Sequence, residues 1–233
     1  MSSTDASTAD APRPVVVAID GPAGSGKSSV SRAAARALGY DFLDTGAGYR
    51  ALAWRSLDLG IELEDADAVR AVLGGFRYDV EPGADGARVH VEGREVTEEI
   101  REPRVSGVVS LVARVPEVRE ALNVQFRRLI RETPRPGIVV EGRDITTVVA
   151  PDAQVRILLT ADEEVRIARR AKELSPEQAA TARQLSERDR QDAGVVDFLT
   201  AAEGVTTVDS TELDFDETVQ AVVELVRRAA QKD

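Results

Sequence analysis

Apolar residues form two kinds of pattern along the chain: short continuous runs, and longer stretches with helical spacing. The short runs predict buried strands. They cover residues 15–19, 41–43, 138–140, 155–159 and 205–209. Helical spacing is clearest at 116–132 and 215–230. Because strands and helices alternate, we expect an α/β fold with a central parallel five-stranded sheet.

The segment between residues 62 and 106 has a different pattern from the rest of the chain. Residues 76–80 and 88–91 alternate between apolar and polar side chains, and a turn-rich stretch at 82–86 joins them. Alternation on both sides of a turn predicts an antiparallel hairpin. We therefore expect a small antiparallel insert domain at 62–106.

The parts on either side of the insert, 14–61 and 107–233, are expected to form one core. Residues 1–13 consist mainly of Ser, Thr, Ala, Asp and Pro, a composition typical of a disordered tail and not of a signal peptide. The sequence contains no cysteine, and no apolar run is long enough to span a bilayer. We expect a cytoplasmic protein that does not bind membranes.

The net charge of −11 argues against binding to a nucleic-acid polymer. An acidic protein can still bind phosphate groups if its arginines converge on one cleft. Local clusters of charge therefore matter more than the sum.

One motif with specific chemistry lies at the end of the first predicted strand. Residues 21–28 fit the pattern G-x-x-x-x-G-K-[ST], between a strand and a helix as that pattern requires. Glycines allow backbone N–H groups to surround phosphate oxygens, and the helix N-terminus adds a positive dipole end. Lys27 would contact the outer phosphates of ATP or GTP, and Ser28 a bound Mg²⁺. The nucleotide-binding residues are predicted to be Gly21, Pro22, Ala23, Gly24, Ser25, Gly26, Lys27, Ser28 and Ser29.

Charged groups also follow two other predicted strands, at 44–50 and at 141–144. Open parallel sheets bind their ligands at the carboxyl ends of the strands. Both segments are therefore candidates for a second ligand site. Arg50 could bind a phosphate through two hydrogen bonds, or it could be an ordinary solvated arginine, and this stretch alone leaves both options open.

An arginine-rich region follows the fourth predicted strand. Its two helical patterns, 162–174 and 177–190, are separated by Ser175 and Pro176. We interpret about 172–195 as a helical lid that brings guanidinium groups over phosphates. A solvated pair of charged helices would have the same composition. The arginines concerned are Arg166, Arg169, Arg170, Arg183, Arg188 and Arg190.

These motifs resemble those of the bacterial cytidylate kinases, a branch of the nucleoside monophosphate kinase family of P-loop proteins. The likeness covers about residues 14–230. The first motif is common to all P-loop proteins, whereas the second and third are more specific to this family. The matching segments are 19–28, 43–50, 141–144, 186–192 and 208–211.

The resemblance implies a P-loop three-layer fold in which the five-stranded sheet carries the small antiparallel insert and the helical lid. It also implies an ATP-dependent, Mg²⁺-dependent kinase that phosphorylates CMP or dCMP. We expect the enzyme to act as a monomer.

The resemblance also implies a role for individual residues. Four would lie near the cytosine: Thr45, Ser110, Arg119 and Asp144. Arg50 and Arg143 would hold the acceptor phosphate, and Arg188 and Asp192 would contact the sugar. The ATP phosphates would be held by Lys27, Arg166, Arg169 and Arg170. Of all these residues, the catalytic ones would be Lys27, Arg143, Arg166 and Arg170.

Two positions depart from the family pattern. Thr146 stands where glycine is usual, and Ala193 stands where an arginine usually follows the aspartate at Asp192. Two other functions also fit parts of the sequence. One is a kinase of the same architecture for UMP, AMP or a small hydroxylic metabolite. The other is a GTPase-type switch, although the sequence contains no Asn-Lys-x-Asp element to read guanine.

Overall fold

A computed structural model describes residues 13–81, 87–173 and 200–231, the side chains of 170–173 excepted. Its centre is a five-stranded sheet in which every neighbouring pair is parallel. The spatial order of the strands is β2-β6-β1-β7-β8. The strands are β1 (Val15–Asp20), β2 (Asp41–Asp44), β6 (Gly137–Gly142), β7 (Val155–Thr160) and β8 (Thr206–Asp209). The predicted central sheet is thereby confirmed.

A second, smaller sheet lies between β2 and β6 in sequence. It is antiparallel, with the order β3-β4-β5. Its strands are β3 (Tyr78–Glu81), β4 (Arg88–Val91) and β5 (Arg94–Glu95). The predicted hairpin is present, with a short third strand added to it.

The helices of the described ranges are α1 (Lys27–Leu38), α2 (Thr45–Asp58), α3 (Ala66–Val72), α4 (Pro103–Ser106), α5 (Val109–Ala113), α6 (Pro116–Arg131), α7 (Glu163–Glu173) and α8 (Phe215–Ala229). Three of them, α6, α7 and α8, begin and end within one residue of the predicted patterns 116–132, 162–174 and 215–230. A 3₁₀ turn covers Glu99–Arg101, and a π-helical turn covers Ile145–Val149. Sequence analysis gave no helical pattern for the short helices α4 and α5.

The sheet separates two hydrophobic clusters, as alternation along β1 requires. Val17 and Ile19 pack with residues of α1 and α8 on one face, whereas Ala18 packs with α2 and α6 on the other. The cluster that contains Ala18 continues without a break into the small sheet, through Val89 and Val91 of β4. The result is a three-layer arrangement in which the small sheet shares a core with α2. The boundaries proposed for the insert stay a prediction.

Within the described ranges, no helix combines the length and apolar character needed to cross a membrane.

Candidate active site

The loop after β1 has the backbone geometry that its glycines allow. Gly24 and Gly26 have φ angles of 76° and 82°, in the left-handed region that favours glycine. A Cβ at Gly21 would lie 2.1 Å from the carbonyl oxygen of Leu159 on the neighbouring strand β7. Helix α1 begins at Lys27, directly after this turn. The loop therefore places a helix N-terminus and a lysine at the carboxyl edge of the sheet, a suitable place for an anion.

A buried carboxylate faces the start of α1. Glu141, at the end of β6, accepts a hydrogen bond from Ser28 Oγ at 2.5 Å, and its Oε2 lies 3.9 Å from Lys27 Nζ. Its side chain is only 3% exposed. Burial raises the pKa of Glu141, and the negative charge of Asp44 raises it further, whereas Lys27 acts in the opposite direction. The sequence pointed to the segment 141–144 but not to Glu141 itself.

Asp44 organises the start of α2. Its carboxylate caps the helix by accepting from the backbone N–H of Ala47 at 3.1 Å. The other oxygen accepts from Arg50 Nη2 at 2.6 Å, and both side chains are 16% exposed. Burial opposes the ionisation of Asp44, but the Arg50 guanidinium, together with Arg101 and the Ala47 N–H, holds the pKa of Asp44 below its usual range. Arg50 is thus not an ordinary solvated arginine, and sequence analysis missed Asp44 as its partner.

The loop after β6 carries two residues that were predicted to bind the acceptor nucleotide, and it lies beside the phosphate loop. Arg143 Nη1 lies 3.5 Å from the carbonyl oxygen of Gly21. Asp144 Oδ2 accepts from Arg119 Nη2 of α6 at 2.5 Å. Burial raises the pKa of Asp144 even though the positive charge of Arg119 acts against that shift. Arg119 and Asp144 are 25 positions apart in the chain and form one charged pair.

Two hydroxyl groups predicted to lie near the cytosine are also located. Thr45 Oγ1 donates to the backbone carbonyl of Glu141 at 2.9 Å, which ties the start of α2 to the end of β6. Ser110 lies on the short helix α5 and lines the same cleft. The hydrogen bond from the Thr45 hydroxyl to Glu141 therefore supports the fold, and the contact of Thr45 with the cytosine stays a prediction.

All these groups line one cleft with a volume of about 1000 Å³. Predicted residues on its wall are Ala23, Gly24, Gly26, Lys27, Ser28, Ser29, Thr45, Arg50, Ser110, Arg119, Arg143 and Asp144. Residues to which sequence analysis gave no role also line it, and six of them have charged or aromatic side chains. They include Arg32, Asp44, Tyr49, Arg101, Arg114 and Glu141. Asp44, Tyr49 and Glu141 lie in the matching segments 43–50 and 141–144, whereas Arg32, Arg101 and Arg114 lie in none of the matching segments.

Some predicted residues lie off the wall of the cleft. Gly21, Pro22 and Ser25 belong to the phosphate loop but are buried. Arg166 Nη1 donates to the carbonyl of Ala23 at 3.0 Å, so it contacts the phosphate loop itself. Arg169 uses its guanidinium on Ser210 Oγ and on the carbonyl oxygen of Ser210, at 2.9 and 2.7 Å.

The remaining lid predictions lie outside the described residues. They concern Arg183, Arg188, Arg190, Asp192 and the side chain of Arg170.

The parallel sheet, the phosphate loop and the second charged loop beside it define a P-loop kinase. A family model described as "Cytidylate kinase" matches residues 17–228. The chain belongs to the cytidylate kinase family.

Individual relatives support the same assignment. The chain is 48% identical over 217 residues to a cytidylate kinase of Cutibacterium acnes, covering 91% of this chain and 96% of that protein. It is 41% identical to a cytidylate kinase of Streptomyces avermitilis, covering 93% of this chain and 95% of the relative. A bifunctional pantoate ligase/cytidylate kinase of Synechococcus is 44% identical over 95% of this chain, which spans 46% of that longer protein.

Proposed function

We propose that this enzyme transfers the γ-phosphoryl group of ATP to CMP or dCMP, giving CDP or dCDP. One observation carries the proposal: a single cleft joins the phosphate loop, with Lys27, to the Arg119–Asp144 pair and Arg143. A protein that only bound a nucleotide would need the first half of this cleft. A kinase needs both halves at the same edge of the sheet.

On the donor side, the N–H groups of the phosphate loop and the N-terminus of α1 would hold the ATP phosphates. Lys27 would add a positive charge at the outer phosphates. Arg166, which contacts the loop at the Ala23 carbonyl, is placed to join it there by a small movement of its side chain.

The residues present also fit a magnesium ion. Ser28 Oγ and the Glu141 carboxylate are 2.5 Å apart at the entrance to the phosphate loop, and Mg²⁺ prefers oxygen ligands of this kind. We propose that Ser28 holds the ion, with Glu141 as its acidic neighbour. When bound there, Mg²⁺ would supply positive charge that offsets the negative charge of the nucleotide phosphates.

On the acceptor side, Arg143 and Arg50 are proposed to hold the phosphate of the monophosphate. Arg50 would have to share its guanidinium between that phosphate and Asp44. The Arg119–Asp144 pair, with Thr45 and Ser110, offers donors and acceptors to the edge of a base. Such a polar edge can select cytosine because a wrong base leaves buried groups without partners.

The chemistry asks mainly for positioning and neutralisation of charge. The second pKa of a phosphate monoester is about 6, so the attacking phosphate oxygen is already ionised at neutral pH. A strong general base is therefore unnecessary. The protein must bring two polyanions into line and stabilise the charge on the transferred group, and Lys27 and Arg143 are the cations nearest to that task.

A coupled assay of ATP consumption with CMP, dCMP, UMP and AMP in parallel tests the proposal. We expect CMP and dCMP to support turnover and the other two to do so weakly. If turnover is fastest with UMP or AMP, that monophosphate is the acceptor and the proposal for CMP or dCMP is wrong. GTP hydrolysis unaffected by any monophosphate would favour the nucleotide switch and overturn the proposal.

We further propose a monomer that acts in the cytoplasm, together with its nucleotide substrates. Residues of one chain form both halves of the cleft, so a second copy is not needed to complete it. Light scattering at working concentration should give a mass near 25.1 kDa. A mass of twice that value would contradict the monomer.

A further inference from the structure

Asp20 is a buried carboxylate to which the mechanism above gives no role. It is the last residue of β1, directly before the phosphate loop, and its side chain is 3% exposed. Three groups donate to it, and all three belong to the loop that follows Asp144. Ile145 N lies 2.8 Å from Oδ1, and Thr146 N and Oγ1 lie 2.8 and 2.6 Å from Oδ2.

The strand pairing explains how Asp20 reaches this loop. In the parallel register of β1 and β6, Asp20 lies beside Gly142. Both strands end at this level, so a carboxylate at Asp20 extends over the first residues that leave β6. The same position in the chain begins the phosphate loop. Asp20 therefore joins the backbones that carry the two halves of the cleft.

The bond from Ile145 acts on one particular peptide unit, the one that connects Asp144 to Ile145. Its N–H donates to Asp20. Its carbonyl, that of Asp144, accepts from the N–H groups of Val148 and Val149 at 2.9 and 3.1 Å. A peptide unit held at both ends cannot rotate without breaking bonds on both sides. This fixes the backbone from which the Asp144 side chain reaches Arg119.

A buried charge at this position has an energetic cost. Burial raises the pKa of Asp20, although the three hydrogen bonds from Thr146 and Ile145 act against that shift. The neighbouring charge of Asp20 also contributes to the raised pKa of Asp144. A buried carboxylate is therefore a poor device for stability alone, since a well-packed apolar residue would often serve as well or better.

We propose that Asp20 is a positioning residue: through the N–H groups of Ile145 and Thr146 it holds Arg143 and Asp144 in place beside the phosphate loop. The Thr146 hydroxyl supplies the third of its hydrogen bonds. This inference rests on the proposed function, because it assigns Arg143 and Asp144 to the acceptor. It predicts that changes at Asp20 act on the acceptor before they act on ATP.

The test is steady-state kinetics of the full chain, varying CMP at saturating ATP and then ATP at saturating CMP. Asp20→Asn keeps the shape of the side chain but places an amide NH₂ group against backbone donors. We expect the KM for CMP to rise by about tenfold or more, the effect of losing one charge-assisted hydrogen bond. The thermal midpoint should fall, because the amide leaves a buried backbone N–H without an acceptor, but the KM for ATP should change little.

Thr146 provides a second, gentler set of variants. Thr146→Val removes the hydroxyl but keeps the backbone N–H and the volume of the side chain, and we expect a smaller rise of the KM for CMP. Thr146→Ser restores the donor and should restore the KM. Thr147 is exposed next to it, so Thr147→Val is a matched control that should have no effect.

Two results would overturn the inference. One is an unchanged KM for CMP in both Asp20→Asn and Thr146→Val. The other is a parallel rise of both KM values, as expected of a residue that merely supports the fold. Failure of the unaltered enzyme to phosphorylate CMP would instead overturn the proposed function, and this inference with it.

Discussion

Arg119 and Asp144 form a charged pair in which Nη2 of the arginine donates to Oδ2 of the aspartate at 2.5 Å. Arg119 comes from α6 and Asp144 from the loop after β6. The aspartate is 8% exposed and the arginine 22%. The pair thus joins a helix of one layer to the edge of the sheet, at the place that we propose for the acceptor base.

The first prediction concerns this pair. Arg119→Ala leaves Asp144 buried beside Asp20 without its partner, and Asp144→Asn removes the charge that Arg119 contacts. Each change should raise the KM for CMP by about tenfold or more. Because the two groups act as a unit, the double variant should be less impaired than the product of the single effects. Fully multiplicative effects in a double-mutant cycle would contradict this.

The second prediction concerns Lys27. Lys27→Ala should lower kcat by about 100-fold or more, because it removes a positive charge where charge develops in the transition state. Arg131→Ala is a suitable control, since this cation is exposed at the end of α6. Circular dichroism should show that both variants fold. Near-normal turnover of purified Lys27→Ala would remove Lys27 from the mechanism.

The third prediction concerns pH and Glu141. Since the pKa of this carboxyl is raised in the folded protein above its ordinary value of 4.5, folding favours its protonated form. Its contribution to stability is complete below pH 4.5 and is lost as the pH rises through the folded pKa. Glu141→Gln should therefore make the ligand-free protein more stable at pH 8 and flatten the pH dependence of unfolding, while activity falls.

Urea unfolding of both proteins between pH 5 and pH 8 measures this effect. The sign is the informative result. A lower free energy of unfolding for Glu141→Gln at pH 8 would mean that the contacts with Lys27 and Ser28 outweigh the cost of burying the charge.

The fourth prediction concerns Gly48, in the first turns of α2. A Cβ there would lie 2.8 Å from a carbon of the buried Phe126 ring. Gly48→Ala should therefore lower the free energy of unfolding by about 1–3 kcal/mol, as overpacking of a core does. Gly75→Ala is the matched control, because nothing lies within 4 Å of a Cβ at that position. Equal stability of the two variants would show that Phe126 can move aside.

The sequence predicted the bounds of β1 and β7 to within one residue, because both strands consist mainly of apolar residues. It placed the end of β6 too early, because the buried Glu141 interrupts the apolar run that marks the strand. Helix α2 begins at Thr45, directly after β2. Gly46 and Gly48 disfavour a helix in isolation, but Asp44 caps it and Phe126 packs against Gly48.

The residues of the candidate site were likewise predictable from the sequence only in part. The phosphate loop is continuous in sequence, so its residues could be predicted together. Contacts between distant segments could not. Thr146 was visible only as a departure from a family pattern, whereas the structure shows its hydroxyl on Asp20. The family resemblance implied that Arg169 holds ATP phosphates, but it did not reveal that the Arg169 guanidinium contacts Ser210.

The position of β1 at the middle of the sheet has a consequence for folding during synthesis on the ribosome. Both neighbours of β1, β6 and β7, come from the second half of the chain. Asp20 and the Ile145 amide that contacts it are 125 positions apart. At about 5–20 residues per second, synthesis needs roughly 6–25 s to supply that distance. During this interval the apolar β1 has emerged without either partner strand, which makes the first half of the nascent chain the part most exposed to aggregation and to chaperones.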